Sequence, residues 1–96
     1  MPLQMRIYKI KETQLETFAR EWATQIKPLR EKLGFTISKA YMNHEGSEFI
    51  WFLEHPDEDW KALDEAYHTS TERRAMNPNP ARNIVSTKQW FLEELS

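Results

Sequence analysis

Phe49-Ile50-Trp51-Phe52-Leu53 is a run of five apolar residues with no polar break. A half-solvated strand alternates apolar and polar residues, so this run predicts a strand covered on both faces. The chain has 96 residues, which gives one domain, residues 1–96, with few elements to supply two covers. Helices can cover one face. A second subunit is the natural cover for the other, with Phe49, Trp51 and Leu53 expected toward the helices and Ile50 and Phe52 toward the partner.

Composition narrows the class. Four Trp, five Phe and three Tyr each contribute on the order of 1.5–3 kcal/mol when fully buried, which excludes disorder. Thirteen Lys and Arg are interspersed with fifteen Asp and Glu, so there is no phosphate-binding footprint and no nucleic-acid partner is expected. With no cysteine, disulfides, thiol catalysis and thiolate metal or iron–sulfur sites are excluded. Met1-Pro2-Leu3-Gln4-Met5-Arg6 contains no apolar signal core, and no run approaches the roughly 18–20 residues that span a bilayer. The expectation is a cytoplasmic protein with no membrane partner.

Working outward, Met5 to Ile10 reads as a first strand. Thr13-Gln14-Leu15-Glu16 has the spacing of a capping box. Leu15, Phe18, Trp22, Ile26, Leu29 and Leu33 form one helical stripe, followed by Gly34 where a left-handed cap residue belongs. Pro28 deletes the amide that would bond the Thr24 carbonyl, which predicts a kink or break near residues 24–27. Phe35 to Met42 alternates as a second strand. Asn43-His44-Glu45-Gly46, with Gly46 at positive φ, turns it into the run from Phe49. His55-Pro56-Asp57-Glu58-Asp59 predicts the start of a second helix, with Trp60, Leu63, Ala66 and Tyr67 as its apolar stripe. Ser70 or Thr71 can cap a short helical turn, Asn77-Pro78-Asn79-Pro80 excludes regular structure, and a last strand resumes at Ile84. The order strand, helix, strand, strand, helix, strand is the α+β, ferredoxin-like βαββαβ arrangement, with two helices on one face of a four-stranded antiparallel sheet.

With these elements placed, the chain resembles the NIPSNAP family, within the dimeric α+β barrel group of ferredoxin-like domains. The resemblance runs from about Arg6 to Leu95. It rests on Leu15-Glu16-Thr17-Phe18 with Trp22, on Pro28-Leu29-Arg30-Glu31-Lys32-Leu33-Gly34-Phe35 and on Glu48-Phe49-Ile50-Trp51. It continues through Asp59-Trp60, Ala66-Tyr67, Ser70, Glu72-Arg73, Asn77-Pro78-Asn79-Pro80 and Phe91-Leu92. The resemblance implies a homodimer whose two sheets pack face to face into a shared barrel with the helices outside. It supplies no agreed catalytic residues. Mitochondrial members carry a targeting segment and a tandem architecture that residues 1–96 do not contain, so roles in organelle or membrane traffic are not expected.

A neighbouring branch of the group contains small monooxygenases, some without cofactor and some degrading haem, with a pocket between helices and sheet. The haem-degrading pattern of an Asn near the first strand, a Trp and a His is not met, since Met5 to Ile10 lacks Asn and Met76 or Asn77 stands where the His belongs. No cofactor is expected. Of the remaining candidates, His68 beside Tyr67 is the strongest, since a His can act as acid or base near neutral pH. The plain alternative is a His that stabilises a helix C-terminus. Trp51 and Trp90 are candidates to flank the same pocket, against a plain reading as core aromatics. His55, Asp57 and Asp59 follow helix-start rules better than metal-ligand rules, so no metal site is expected, and His44 belongs to an exposed turn. Arg73 and Arg74 beside Asn79 and Arg82 form either an anion site or a solvated charged turn.

Two functions compete on these residues. One is a NIPSNAP-like homodimeric module of unassigned role that binds a small apolar or aromatic ligand. The other is a cofactor-independent monooxygenase or isomerase acting on an aromatic or polyketide-like substrate, with His68 abstracting a proton and Tyr67 orienting the substrate.

Overall fold

The structure, a computed structural model, describes residues 2–95. Strand β1 (Leu3–Ile10) leads to helix α1 (Leu15–Glu21), a π-helical segment (Trp22–Ile26) and helix α2 (Lys27–Lys32). Strands β2 (Thr36–Asn43) and β3 (Glu48–Glu54) form the hairpin, and α3 (Trp60–Thr69), the short α4 (Thr71–Arg74), a 3₁₀ turn (Pro80–Asn83) and β4 (Ile84–Leu92) complete the chain. The sheet is antiparallel in the order β2-β3-β1-β4. This is the ferredoxin-like βαββαβ topology that the element order predicts.

The register settles which face is which. Gln4, Arg6 and Tyr8 of β1 stand opposite Leu53, Trp51 and Phe49 of β3 and opposite Phe91, Gln89 and Thr87 of β4, so all share one face of the pleat. The helices cover that face over β1 and β3, while Thr87, Gln89 and Phe91 of β4 stay exposed. Trp51, Leu53 and Phe49 are buried there with Tyr8, Ile10, Phe18, Trp22, Ile26 and Leu29. Edge-to-face contacts join Tyr8 to Phe18 at 5.9 Å, Trp22 to Trp51 at 5.4 Å and Phe35 to Trp60 at 5.4 Å, the arrangement that aromatic quadrupoles favour. The larger set of the β3 run does face the helices. The molecule measures 19 Å along its shortest axis, the depth of one helix layer on one sheet, so Ile50 and Phe52 on the opposite face meet no second layer.

The helical stripe continues through the proline. Because Pro28 has no amide, the helix widens just before it: the Lys27 amide donates to the Trp22 carbonyl, five residues back, and the Thr24 hydroxyl donates to the Arg20 carbonyl at 3.0 Å. Gly34 takes φ +96° at the helix end as expected. A Cβ there would also lie 2.9 Å from His55 Nε2, so both backbone and space call for glycine.

Four local expectations are corrected. Thr13 does not cap α1: its backbone turns through φ 69°, Gln14 takes the cap position without a side-chain bond, and the Thr13 hydroxyl accepts from Gln14 Nε2 instead. The positive-φ residue of the hairpin is Ser47, at φ 52°, not Gly46. Gly46 is small for another reason, since a Cβ there would meet Asn43 Nδ2 at 2.7 Å. The second helix begins at Trp60, not at Pro56, because the Asp59 carboxylate supplies the cap by accepting from the Ala62 amide at 3.1 Å. Finally, regular structure returns at Pro80, which opens the 3₁₀ turn capped by Asn79, whose side chain accepts from Ala81.

Candidate functional site

The helix-covered face carries charge in its core. Asp64 of α3 accepts from Arg6 Nη2 of β1 at 2.9 and 3.1 Å and from Arg30 Nη1 of α2 at 2.9 Å. One carboxylate therefore ties both helices to the sheet. The two guanidinium groups are almost sealed, Arg6 at 4% and Arg30 at 1% exposure, while the Asp64 side chain is 26% exposed. Arg6 Nε also donates to Gln4 Oε1 at 2.6 Å. Burial alone would raise the Asp64 pKa, but Arg6 and Arg30 outweigh it and hold the carboxyl below its ordinary range.

Arg30 stands over an aromatic wall, its guanidinium carbon 3.7 Å from the Tyr67 ring centroid and 5.0 Å from that of Phe35. Arg73 of α4 reaches the same Tyr67 ring at 5.9 Å. A charge held over a ring face is favourable, the more so when desolvated. The Nε atoms of Arg30 and Arg73 are nonetheless buried without a hydrogen-bond partner.

Beside these groups a cavity of about 220 Å³ opens between sheet and helices, bounded by Arg6, Tyr8, Ile26, Arg30, Tyr67, His68, Arg73, Ala81, Ile84, Thr87 and Gln89. Tyr67 and His68 meet it together, their rings 5.0 Å apart and near perpendicular. Tyr67 is buried and His68 is exposed at the rim. Burial and then the Arg30 charge lower the His68 pKa, against the opposing pull of Asp64, which favours the neutral, proton-accepting form of the imidazole. A second hollow, of about 360 Å³, lies among turn residues including Glu12, Glu16, His44 and Glu45. It gathers none of the sequence-predicted site residues except the turn residue His44.

The other predicted residues lie elsewhere. Trp51 is completely buried in the core against Tyr8 and Trp22 and does not border the cavity. Trp90 pairs with Met5 on the opposite face of the sheet, 47% exposed, and cannot flank a cavity on the helix side. Ligand-type groups at 55–59 are engaged locally: His55 Nδ1 accepts from the Asp57 amide and Asp57 Oδ1 from the Asp59 amide. The arginine group divides. Arg82 forms a two-pronged pair with Glu21 at 2.8 Å and Arg74 is exposed, while Arg73 alone turns to the cavity.

Sequence reasoning missed Arg6, Arg30 and Asp64 as site residues. For two of them a signal existed. Arg30 follows Ile26 by four on the first stripe, and Asp64 follows Trp60 by four on the second, so opposite charges sat on two faces already assigned to the core.

No protein-family model matches the sequence, and no curated protein sequence matches it. Similarity to solved structures extends over the whole chain. An uncharacterized NIPSNAP domain protein from Burkholderia xenovorans superposes with a TM-score of 0.84 at 14% identity, covering 100% of this chain and 96% of its own. A NIPSNAP family protein from Agrobacterium tumefaciens gives 0.84 at 14% identity, covering 98% and 92%. An antibiotic biosynthesis monooxygenase gives 0.70 at 10% identity, covering 100% of both chains. The chain therefore has the fold of NIPSNAP domains, a ferredoxin-like α+β fold that it also shares with an antibiotic biosynthesis monooxygenase.

Proposed function

We propose that the protein is a homodimeric small-molecule-binding module, in which two copies cover each other's open sheet face and each keeps a cavity under its own helices. The observation that carries the dimer is the open face itself. Met5 and Ile7 of β1, Ile50 and Phe52 of β3, Tyr41 of β2 and Trp90 and Leu92 of β4 stand there in register, and Tyr41, Trp90 and Leu92 are exposed. Four strands at about 4.8 Å spacing and about eight residues at about 3.3 Å rise cover roughly 19 by 26 Å. With side-chain relief this approaches the ~800 Å² per partner of a stable interface. Lys39 and Lys88 also stand on this face, opposite Phe52 and Ile7, but exposed apolar side chains grouped on one sheet face mark an interaction site, and a face of one continuous sheet matches a second copy of itself under two-fold symmetry. Sedimentation at micromolar concentration tests it: twice the chain mass is expected, and a stable monomer refutes the dimer. Native mass spectrometry of the protein as purified tests the binding role through retained small molecules.

A second reading is supported by the pairing of Tyr67 and His68 on the cavity wall and by the likeness to the monooxygenase. In it neutral His68 removes a proton from an aromatic or polyketide-like substrate that Tyr67 orients. The binding role is favoured because His68 is exposed at the rim and not enclosed by the cavity; the cavity, below the ~300 Å³ at which ligand sites generally begin, limits either reading to a small molecule. Oxygen uptake on adding a reduced aromatic, abolished by His68→Ala, is the result this reading requires; uptake unchanged in that variant eliminates His68 as the base.

A further inference from the structure

The cavity carries more positive charge than its surroundings neutralise. Arg6, Arg30 and Arg73 border it, and no carboxylate does among the described residues. Asp64 answers two of the three guanidinium groups with a single negative charge. Among the described residues Arg73 has no salt bridge, and Arg30, though 1% exposed, leaves Nε unbonded. Buried donors normally find an acceptor, and these two guanidinium groups keep donors that no acceptor among the described residues meets. Burial and the adjacent Arg6 lower the Arg30 pKa, the direction of a cation short of negative charge.

We propose that this cavity is a site for a small organic carboxylate, held by Arg30 and Arg73, whose guanidinium groups stand over the Tyr67 ring. The inference rests on the small-molecule-binding reading and names its ligand class. A carboxylate fits better than a bare phosphate because Tyr8, Ile26 and Ile84 provide apolar wall for a hydrocarbon body, while guanidinium forks match the planar two-oxygen head. The volume sets the size. About 220 Å³ equals roughly seven waters at ~30 Å³ each, so the ligand is a monocyclic or short branched acid.

The 96-residue chain is titrated by calorimetry with acetate, isovalerate, benzoate and phenylacetate, each alongside its own amide, and with inorganic phosphate. At least one acid binds ten times or more tighter than its amide and tighter than phosphate. Arg73→Gln weakens it about ten- to a hundredfold, the loss of one charge-assisted hydrogen bond. Thr87→Glu, which sets a carboxylate at the wall of the cavity from an exposed strand position, weakens it too. Arg74→Gln, exposed on the same helical turn, leaves it unchanged. The bound acid also moves the His68 midpoint upward, since a nearby anion favours imidazolium. Amides binding as tightly as acids overturn the carboxylate assignment while the binding role survives, and phosphate binding as tightly as the best acid overturns it as well. Failure of acids and amides alike overturns both.

Discussion

Replacing Asp64 with Asn should destabilise the domain severely although it removes only one charge. The wild-type carboxylate accepts three hydrogen bonds from two guanidinium groups at 2.9–3.1 Å. Asparagine keeps one acceptor and turns an amide donor toward arginine donors. Arg6 and Arg30, at 4% and 1% exposure, cannot reach water to compensate. Removing one partner of a buried ion pair costs about 3–5 kcal/mol, and the 26% exposure of Asp64 places the effect at the lower end, about 3 kcal/mol. For a domain under about 100 residues each kcal/mol moves Tm by about 4–8 °C, so Tm falls by roughly 12–24 °C. Urea unfolding followed by tryptophan fluorescence, at one fixed protein concentration because association adds to apparent stability, measures the difference. The pH dependence supplies a check on cause. A carboxyl whose folded pKa is depressed contributes fully above its unfolded value near 3.8 and loses that contribution as pH falls through the folded value. The wild type and Asp64→Asn should therefore differ most at neutral pH and converge in acid. A loss below about 1 kcal/mol at pH 7, or a difference that persists at acid pH, would refute the idea that this carboxylate neutralises two desolvated cations.

Three further outcomes are expected. Phe52→Asp, on the open face opposite Met5, should convert the dimer to a folded monomer; a dimer that survives would place the interface elsewhere. Gly34→Ala should cost at least about 1 kcal/mol, since φ +96° penalises any Cβ and His55 Nε2 stands 2.9 Å from it; an unchanged urea midpoint would show that the helix end can rearrange. Because burial and then Arg30 lower the His68 pKa from 6.5, the unfolded chain protonates first and stability declines as pH drops below 6.5 toward the folded value; an NMR midpoint at or above 6.5 would contradict this.

The parts of the fold legible in the sequence were those set by burial period. The stripe from Leu15 to Leu33 predicts its helix because each member packs into one core, and Phe49 to Leu53 shows its two-faced strand because nothing polar interrupts it. Features that depend on which backbone atom a side chain finds were not legible. Thr13 has the right spacing for a cap, yet the turn from Lys11, closed by the Gln14 amide on the Lys11 carbonyl at 3.0 Å, rotates it out of place. At the cavity, Tyr67 and His68 come together because neighbours in sequence at a helix end stay neighbours in space. Trp90 was misplaced because strand parity is fixed only by register: pairing of Arg6 with Gln89 and of Tyr8 with Thr87 sends Trp90 to the other face. Nothing beside Arg6 in the sequence marks it as inward-facing, and only Asp64, 58 residues away, gives it a reason to point inward.

The two buried arginines are not explained by stability. A buried ion pair is often no better than apolar residues of similar volume, and a 96-residue chain has little margin to spend on desolvating charge. If the Arg6–Asp64–Arg30 group served only to hold β1, α2 and α3 together, hydrocarbon would do it as well. The triple variant Arg6→Met, Arg30→Met, Asp64→Leu separates the two purposes. It removes both cations together with the anion they share, so no buried charge is left unpaired and stability should stay within about 1–2 kcal/mol of wild type where Asp64→Asn alone loses about 3. The same variant removes the guanidinium that lies on Tyr67 and should lose the acid-over-amide preference. Retained stability with lost anion preference assigns the charges to the cavity, and lost stability with retained preference assigns them to the fold.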